Sequence, residues 1–334
     1  MKNKPSDISY HGVRKSVIDS AKPELNPIAL GHLRDWIRER ATIRKKKDIL
    51  KEPAPWTDNP ILRKIKFTNV KREHDPHTKW VIDNICHRYD IPLEIRLLNI
   101  IIYRIYNKSQ TAEMIGMPFG QPLSLEQMSK IEAQFRDLDE RGVTIFTNAF
   151  NTGGIKSSLG RSFSGGYIPM RVITFFNHLW EISFQDKLME QKTPLTTLEL
   201  LMSHKGIGEF LGYQMWVDFT YCDDYPWSEN EFTVAGPGCM NGLDRLFIEK
   251  DEMTHEECLF WLRDNPHVLD IDWADLFDYM DDHDQCANVM SLENCFCELG
   301  KYIKSIEALE QGKRAPVRNK YDGEGKPTSI LDLF

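Results

Sequence analysis

Apolar residues recur at helical spacing through most of the chain from about residue 76 onward, and this periodicity limits the possible folds more than any other feature. It is clear in HTKWVIDNICHRY, PLEIRLLNIIIYRIYN, SLEQMSKIEAQFRDLDERG and MRVITFFNHLWEISFQDKL, which short Pro- or Gly-marked breaks separate. Further helices are predicted at about 195–203, 208–222, 238–248, 254–264, 272–281 and 290–311. Strands do not alternate with helices as a parallel sheet requires. The sequence therefore predicts a mainly α protein.

Segments of different character flank the helical region. Residues 1–55 are polar and basic and contain five prolines, so they predict an N-terminal extension with one or two helices, notably around 28–50, that could serve as an arm. Residues 56–311 would form the main helical domain, and 312–334 a C-terminal tail. The Gly-, Ser- and Asn-rich segment 144–167 lacks helical periodicity and predicts a loop near a ligand.

Charge is segregated along the chain. The formal net charge of −8 argues against indiscriminate binding to polyanions. Residues 34–51 nevertheless hold eight basic against three acidic residues, whereas IDWADLFDYMDDHD at 271–284 is strongly acidic. Either one local face meets nucleic acid, or both segments are solvated helix faces without a partner.

The sequence also bears on the cellular compartment. Its seven cysteines, an odd number without framework spacing, indicate reduced thiols. No stretch approaches the roughly 20 apolar residues of a membrane helix, and the start MKNKPSDISYHG lacks the apolar core of a signal peptide. These features predict a cytoplasmic protein without a membrane partner.

One segment predicts two helices joined by a tight glycine turn. It is TTLELLMSHKGIGEFLGYQMWVDFTY at 196–221. This is the pattern of a helix-hairpin-helix, whose turn brings backbone N–H groups close to a DNA phosphate. The DNA-binding residues would then be Lys205, Gly206, Ile207 and Gly208. Asp218 and a Gly-Pro-Gly turn follow, much as in helix-hairpin-helix DNA glycosylases. The alternative is an ordinary turn between helices.

Four segments follow one another in the order typical of one family. They are FTNVKREHDPHTKW at 67–80, the Gly206–Gly208 turn, AGPGCMNGLDRLF at 235–247 and SLENCFCELGKYIK at 291–304. Together they resemble the alpha-glutamyl/putrescinyl thymine pyrophosphorylases, also called amino acid:DNA transferases, and the helical domain of phage 5-hydroxymethyluridine DNA kinases is similar. The resemblance implies a bacteriophage enzyme with a glycosylase-like helical catalytic domain. Kinase activity itself is not expected, because no Gly-x-x-x-x-Gly-Lys-Ser/Thr loop is present.

The resemblance implies that pyrophosphate leaves a 5-pyrophosphoryloxymethyl group on uracil in DNA and that an amine takes its place on the methylene carbon. The partners would be DNA carrying the modified thymine and a small amine donor, either an amino acid or a polyamine. Such a reaction needs a pocket for an extruded base, cations or N–H donors for pyrophosphate, and a base for the amine.

Candidate residues can be assigned to these tasks. Arg72 is the candidate for stabilising pyrophosphate, because a guanidinium binds phosphate oxygens in bidentate fashion; the alternative is a surface ion pair with Glu73. Lys205 could contribute a further charge there. The other candidates for binding substrate or pyrophosphate are Asn69, Arg104, Arg245, Lys301 and Tyr302.

The candidates for proton transfer are Asp218, Glu293 and Glu298. Helical spacing places Glu293, Cys297 and Lys301 on one stripe of the last predicted helix, and Asn294, Glu298 and Tyr302 on the next. A carboxylate buried there would have a raised pKa and could act as a general base. The alternative is a structural polar network that closes the domain.

No metal site is predicted, since Cys295 and Cys297 stand two apart on a helix and no second pair completes a zinc ligand set. A divalent cation could accompany pyrophosphate; otherwise no cofactor is indicated. Two other functional classes stay open. One is a glycosylase-like enzyme that excises a modified base, and the other is a non-catalytic DNA-binding module. The pattern does not fix the oligomeric state.

Overall fold

The computed structural model describes residues 12–147, 153–162, 167–277 and 288–313. The chain divides into two units: unit 1 comprises residues 1–75 and 229–334, and unit 2 comprises residues 76–228. The helices, in chain order, are α1 (Lys15–Ser20), α2 (Pro27–Arg44), α3 (Pro76–Val81), α4 (Leu93–Tyr106), α5 (Ser109–Met114), α6 (Leu125–Glu140), α7 (Gly153–Ser162), α8 (Ile168–Glu181), α9 (Phe184–Met189), α10 (Pro194–Met202), α11 (Glu209–Phe219), α12 (Pro237–Leu246), α13 (His255–Asp264), α14 (Trp273–Leu276) and α15 (Val289–Glu310).

Shorter elements complete the two units. Strand β1 (Glu24–Leu25) pairs antiparallel with β2 (Phe247–Glu249) in unit 1. Single helical turns of other pitch are Lys45–Ile49, Arg72–His74, Ile82–Cys86 and Pro266–Leu269. The predicted mainly α class is confirmed. Among the described helices, none has the length and apolar character needed to span a bilayer.

Unit 2 is built around α4, whose sequence LEIRLLNIIIYRIY is apolar on nearly every side. All of its residues except Glu94 are buried, as expected for a helix without a polar face. Helices α8, α9 and α11 pack on it. The helix ends at Asn107, whose φ of 50° lies in the left-handed region that asparagine tolerates.

Unit 1 is centred on the 22-residue helix α15, which packs against α12 and α2. Small residues bring α12 and α15 unusually close together. A Cβ atom added to Gly242 would lie 2.2 Å from the backbone oxygen of Phe296, and one added to Gly300 would lie 2.8 Å from Asn241 Oδ1. Glycine is therefore required at position 242, where α12 meets the backbone of α15, and this crossing fixes the position of the α15 side chains.

Gly242→Ala is accordingly expected to destabilise unit 1 by about 3 kcal/mol, because the added methyl group overpacks the crossing. The matched control is Gly31→Ala in α2, where a Cβ would meet no atom within 4 Å. That change should stabilise the protein by about 0.5–1 kcal/mol through helix propensity. Denaturant unfolding of both variants checks the prediction, which fails if the two substitutions shift stability in the same direction.

The interpretation of 144–167 as a loop is wrong for residues 153–162, which form α7. The reason lies in tertiary packing, because the start of α7 lies against the turn between α10 and α11. A Cβ at Gly206 would come within 2.7 Å of both the Gly154 backbone oxygen and the Ile155 Cα. Residues 148–152 and 163–166 of the predicted loop lie outside the described residues.

The N-terminal segment contains the predicted helix, here α2, but this helix is part of the core of unit 1. Trp36 and Ile37 have no exposed surface, and Leu33 packs in the same cluster. Asn26 caps the helix by accepting hydrogen bonds from the backbone N–H groups of Ile28 and Ala29. The basic run therefore belongs to a helix that contributes to the core, and to the turn that follows it. The predicted tail lies outside the described residues from 314 onward.

Candidate active site

The segment Asn69–Asp75 closes on itself before it meets α15. Asp75 Oδ1 accepts hydrogen bonds from the backbone N–H and the side-chain Nδ2 of Asn69, at 3.1 and 2.9 Å. Asn69 Nδ2 also donates to the carbonyl oxygen of His74 at 3.0 Å. These bonds fold the sequence NVKREHD into a compact loop, so that Arg72 is only 4% exposed.

Helix α15 holds this loop in place. Asn294 Nδ2 donates to the carbonyl oxygen of Asn69 at 2.6 Å, and the Cys295 thiol lies 3.8 Å from the carbonyl oxygen of Val70. The Asn69–Asp75 loop therefore forms one cluster in unit 1 with Glu293 and Glu298 of α15. The charges of these residues act on one another.

Glu293 is the most perturbed carboxyl group of this cluster. It is 2% exposed, and burial raises its pKa to about 7. The Cys297 thiol, 3.1 Å from Glu293 Oε1, the charge of Arg72 and the Gly236 N–H all favour the charged form and limit the rise, whereas the charge of Glu298 adds to it. Near neutral pH the group is thus present in both protonation states, as general acid–base catalysis requires.

Glu298 and Asp75 complete the acidic part of the cluster. Glu298 is 3% exposed, and its Oε1 accepts a hydrogen bond from Lys301 Nζ at 2.5 Å. Burial raises the pKa of Asp75, while the nearby charges of Arg40 and Arg72 oppose the rise. Arg72 thus acts electrostatically on both Asp75 and Glu293. The cluster therefore combines the positive charge of Arg72 with the carboxyl group of Glu293, which can exchange a proton at neutral pH.

Two predicted substrate residues of unit 1 have protein partners. Arg245 Nη1 donates to Glu307 Oε1 at 2.7 Å, near the C-terminal end of α15. The Tyr302 hydroxyl accepts a hydrogen bond from Asn59 Nδ2 at 2.7 Å. Both contacts stabilise the packing of unit 1.

Arg104 and Asp218 belong to unit 2 and bind each other. Both are buried, at 1% and 0% exposure, and Arg104 Nη2 donates to Asp218 Oδ1 at 2.6 Å with a second contact through Nε. Arg104 also donates to Asn107 Oδ1 at 2.8 Å. The pair joins α4 to α11 in the core of this unit.

The predicted hairpin consists of α10, a turn over residues 203–208, and α11. Gly206 has a φ of +98°, which favours glycine, and Ile207 is buried between the helices. Gly208 is the N-cap of α11 and offers no side chain to cap its first N–H groups. Lys205 is exposed. The geometry agrees with two packed helices joined by a glycine turn; binding of DNA there stays a prediction.

Three residues of the unit 1 cluster were not anticipated: Arg40, His74 and Asp75. Arg40 is 7% exposed although it belongs to the basic run, because its Nε donates to the carbonyl oxygens of Phe67 and Thr68 at 3.3 and 2.9 Å. The only sequence signal for His74 and Asp75 was their place inside the 67–80 segment. Within the ranges given above, no group of three or more His, Cys, Asp or Glu residues is arranged to hold a metal ion.

The chain is similar to proteins of one known family. Residues 28–311 match the family described as "5-hmdU DNA kinase, helical domain". A 5-hmdU DNA kinase of Bacillus phage SP10 is 24% identical over 290 residues, which are 82% of this chain and 44% of the phage protein. The chain therefore spans less than half the length of that curated relative. No solved structure matches it.

Proposed function

Since the chain belongs to the family of 5-hmdU DNA kinase helical domains, we propose that it is an enzyme of phage DNA hypermodification that acts on a modified thymine. The relative is named for a kinase, but this sequence contains no Gly-x-x-x-x-Gly-Lys-Ser/Thr loop. The proposed reaction is instead the replacement of pyrophosphate on 5-pyrophosphoryloxymethyluracil by an amine. It would take place in the host cytoplasm.

In this reaction the nitrogen of a neutral amine forms a bond to the methylene carbon at C5 of the base. The bond from that carbon to the bridging oxygen breaks, and its electron pair leaves with pyrophosphate. The nitrogen then loses one proton. The protein must therefore supply a proton acceptor near the nitrogen and positive charge near the departing oxygens.

The observation that carries the proposal is the juxtaposition of Glu293 and Arg72 in unit 1. Glu293 has a pKa of about 7, so it can accept the proton of an amine at neutral pH. The charge of Arg72 acts on Glu293 and is suited to phosphate oxygens. Asn69, Glu298 and Lys301 line the same cluster as substrate-binding or proton-transfer residues. A divalent cation with pyrophosphate would act together with these groups.

The proposed roles of the remaining residues follow from their surroundings. The turn Lys205–Gly208 would hold a DNA phosphate on the N–H groups at the start of α11. Arg104 and Asp218 would order the core of unit 2, and Arg245 and Tyr302 would order α15. In a glycosylase-like reaction, by contrast, Asp218 would need access to the extruded nucleobase.

The direct test is to incubate the purified protein with DNA that contains 5-pyrophosphoryloxymethyluracil and with a mixture of amino acids and polyamines, then to digest the DNA and resolve the nucleosides by mass spectrometry. The expected product is a nucleoside that carries an amine on its methylene carbon, released in step with one pyrophosphate. DNA with the unphosphorylated hydroxymethyl base is the matched control and should stay unchanged.

Two other results would overturn the proposal. An abasic strand with free base would show a glycosylase. Unchanged DNA that still binds the protein would show a binding module. Omitting Mg²⁺ from parallel reactions reports on the cation independently of these outcomes.

A further inference from the structure

Several side chains of unit 1 bury polar atoms for which no described hydrogen bond is found, and three of them lie at or beside the Asn69–Asp75 loop. They are Arg40 Nη1, Asn69 Oδ1, and both ring nitrogens of His74. All three residues are less than 8% exposed, at 7%, 3% and 7%. A buried polar atom without a partner costs about 1–3 kcal/mol, so a group of them indicates a ligand or ordered solvent.

Hydrogen bonds to backbone carbonyl oxygens place the three residues in one part of unit 1. Arg40 Nε donates to the carbonyl oxygen of Thr68, the residue before Asn69. Asn69 Nδ2 donates to the carbonyl oxygen of His74. Because Nδ2 is engaged there and on Asp75, the orientation of the Asn69 amide is fixed and Oδ1 is left as the open acceptor.

The electrostatic surroundings select the charge of the ligand. Burial, together with the charges of Arg44, Lys71 and Arg40, lowers the pKa of His74 to about 3. His74 is therefore a neutral ring at physiological pH, with one donor and one acceptor nitrogen, in a field of positive charge. Asp75 and the partly buried Glu73 are the acidic groups of the same loop, and the pKa of His74 is lowered although they lie beside it in the chain.

We propose that Arg40, Asn69 and His74 form a binding site for a small oxyanion group that carries or adjoins a proton. Arg40 Nη1 and the His74 N–H donate to the anionic oxygens. Asn69 Oδ1 and the second ring nitrogen accept hydrogen bonds from protonated groups of the ligand. A hydrogen pyrophosphate group and an amino-acid carboxylate beside its ammonium group both have this chemistry. The inference rests on the proposed function only for the choice between these two sources.

The site can be tested without DNA or turnover. Protein with isotope-labelled histidine is titrated with inorganic pyrophosphate, and separately with glutamate and with putrescine, while the ring resonances are followed by NMR. The His74 resonances should shift and its pKa should rise, because a bound anion stabilises the protonated ring. The exposed His267 of the same unit is the internal control and should not respond.

Substitutions provide a second measurement. His74→Phe keeps the packing against Phe277, where the ring centroids are 5.8 Å apart, and loses no hydrogen bond to a described residue. It should retain or raise the melting temperature while weakening pyrophosphate or glutamate binding at least about tenfold, the expected loss for a hydrogen bond to a charged group. Arg40→Gln should weaken binding at least as much. Its weaker hold on Phe67 and Thr68 can lower stability, which is why His74→Phe is the primary variant.

The outcomes separate this site from the proposed reaction. A His74 response to pyrophosphate assigns the site to the leaving group, and a response to glutamate alone assigns it to the donor. No response to either compound, or wild-type affinity in His74→Phe, overturns the site. If the protein transfers amines but His74 does not respond, the proposed function stands without this site. If His74 responds but no amine is transferred, the site stands without the function.

Discussion

Glu293→Gln is expected to lower amine transfer about 10²–10⁴-fold, the usual contribution of a general base. Glutamine keeps the size of the side chain and an acceptor oxygen for the Cys297 thiol and the Gly236 N–H, which contact Glu293 in the wild-type protein. It cannot accept a proton from the amine. DNA binding should stay at the wild-type level, because the substitution lies inside the α12–α15 packing of unit 1.

The pH dependence identifies Glu293 more specifically. With a pKa of about 7, the wild-type rate should rise as pH increases through 7 and then level off as the carboxylate form predominates. The residual rate of Glu293→Gln should lack this step. Single-turnover rates measured by nucleoside mass spectrometry between about pH 5.5 and 9 check both statements.

Stability should show the opposite trend. The pKa of Glu293 in the folded protein is raised above the unfolded value of 4.5, so its contribution to stability is complete below that value and is lost as pH rises through about 7. Glu293→Gln removes this loss and should be the more stable protein at pH 8.

Glu310→Gln, on the exposed end of α15, is the matched control and should change neither rate nor stability. Glu298→Gln should have a smaller effect on the pH step, since Glu298 is paired with Lys301. If Glu293→Gln turns over at the wild-type rate with the wild-type pH profile, Glu293 is not the base.

The helices could be predicted well because their signals are local. The apolar run of α4 and the alternating stripes of α15 are visible in the sequence, and the structure contains both helices close to the predicted bounds. Residues 153–162 were missed because glycine lowers helix propensity locally. In the structure, Gly154 at the start of α7 packs against Gly206. This contact is between segments far apart in the chain, so the local sequence does not reveal it.

The candidate site was predicted only in part for the same reason. Glu293 and Arg72 came from separate segments that resemble one family, and the structure brings them into one cluster. Arg40 belongs to the basic run, for which the sequence leaves open a face that meets nucleic acid or a solvated face. Its burial depends on the carbonyl oxygens of Phe67 and Thr68 farther along the chain. Such pairings depend on tertiary structure, which residue spacing within one helix does not reveal.

The Arg104–Asp218 pair allows a second large effect to be predicted. Asp218→Ala or Arg104→Met is expected to destabilise unit 2 by about 3–5 kcal/mol, because each leaves one buried charge without its partner. The double variant Arg104→Met/Asp218→Leu should recover much of this loss, since apolar side chains of similar volume can replace a buried ion pair. Hydrogen exchange of peptides from α4 and α11, with urea unfolding, measures the effect locally in unit 2.

A stability effect of this kind separates a structural pair from a catalytic aspartate. Lys130→Met, which breaks the exposed Lys130–Glu126 pair of the same unit, is the matched control and should cost less than about 1 kcal/mol. If Asp218 is structural, activity in its variants should follow the folded fraction, and the double variant should regain turnover. If Asp218→Asn keeps wild-type hydrogen-exchange protection but loses turnover, Asp218 takes part in the chemistry.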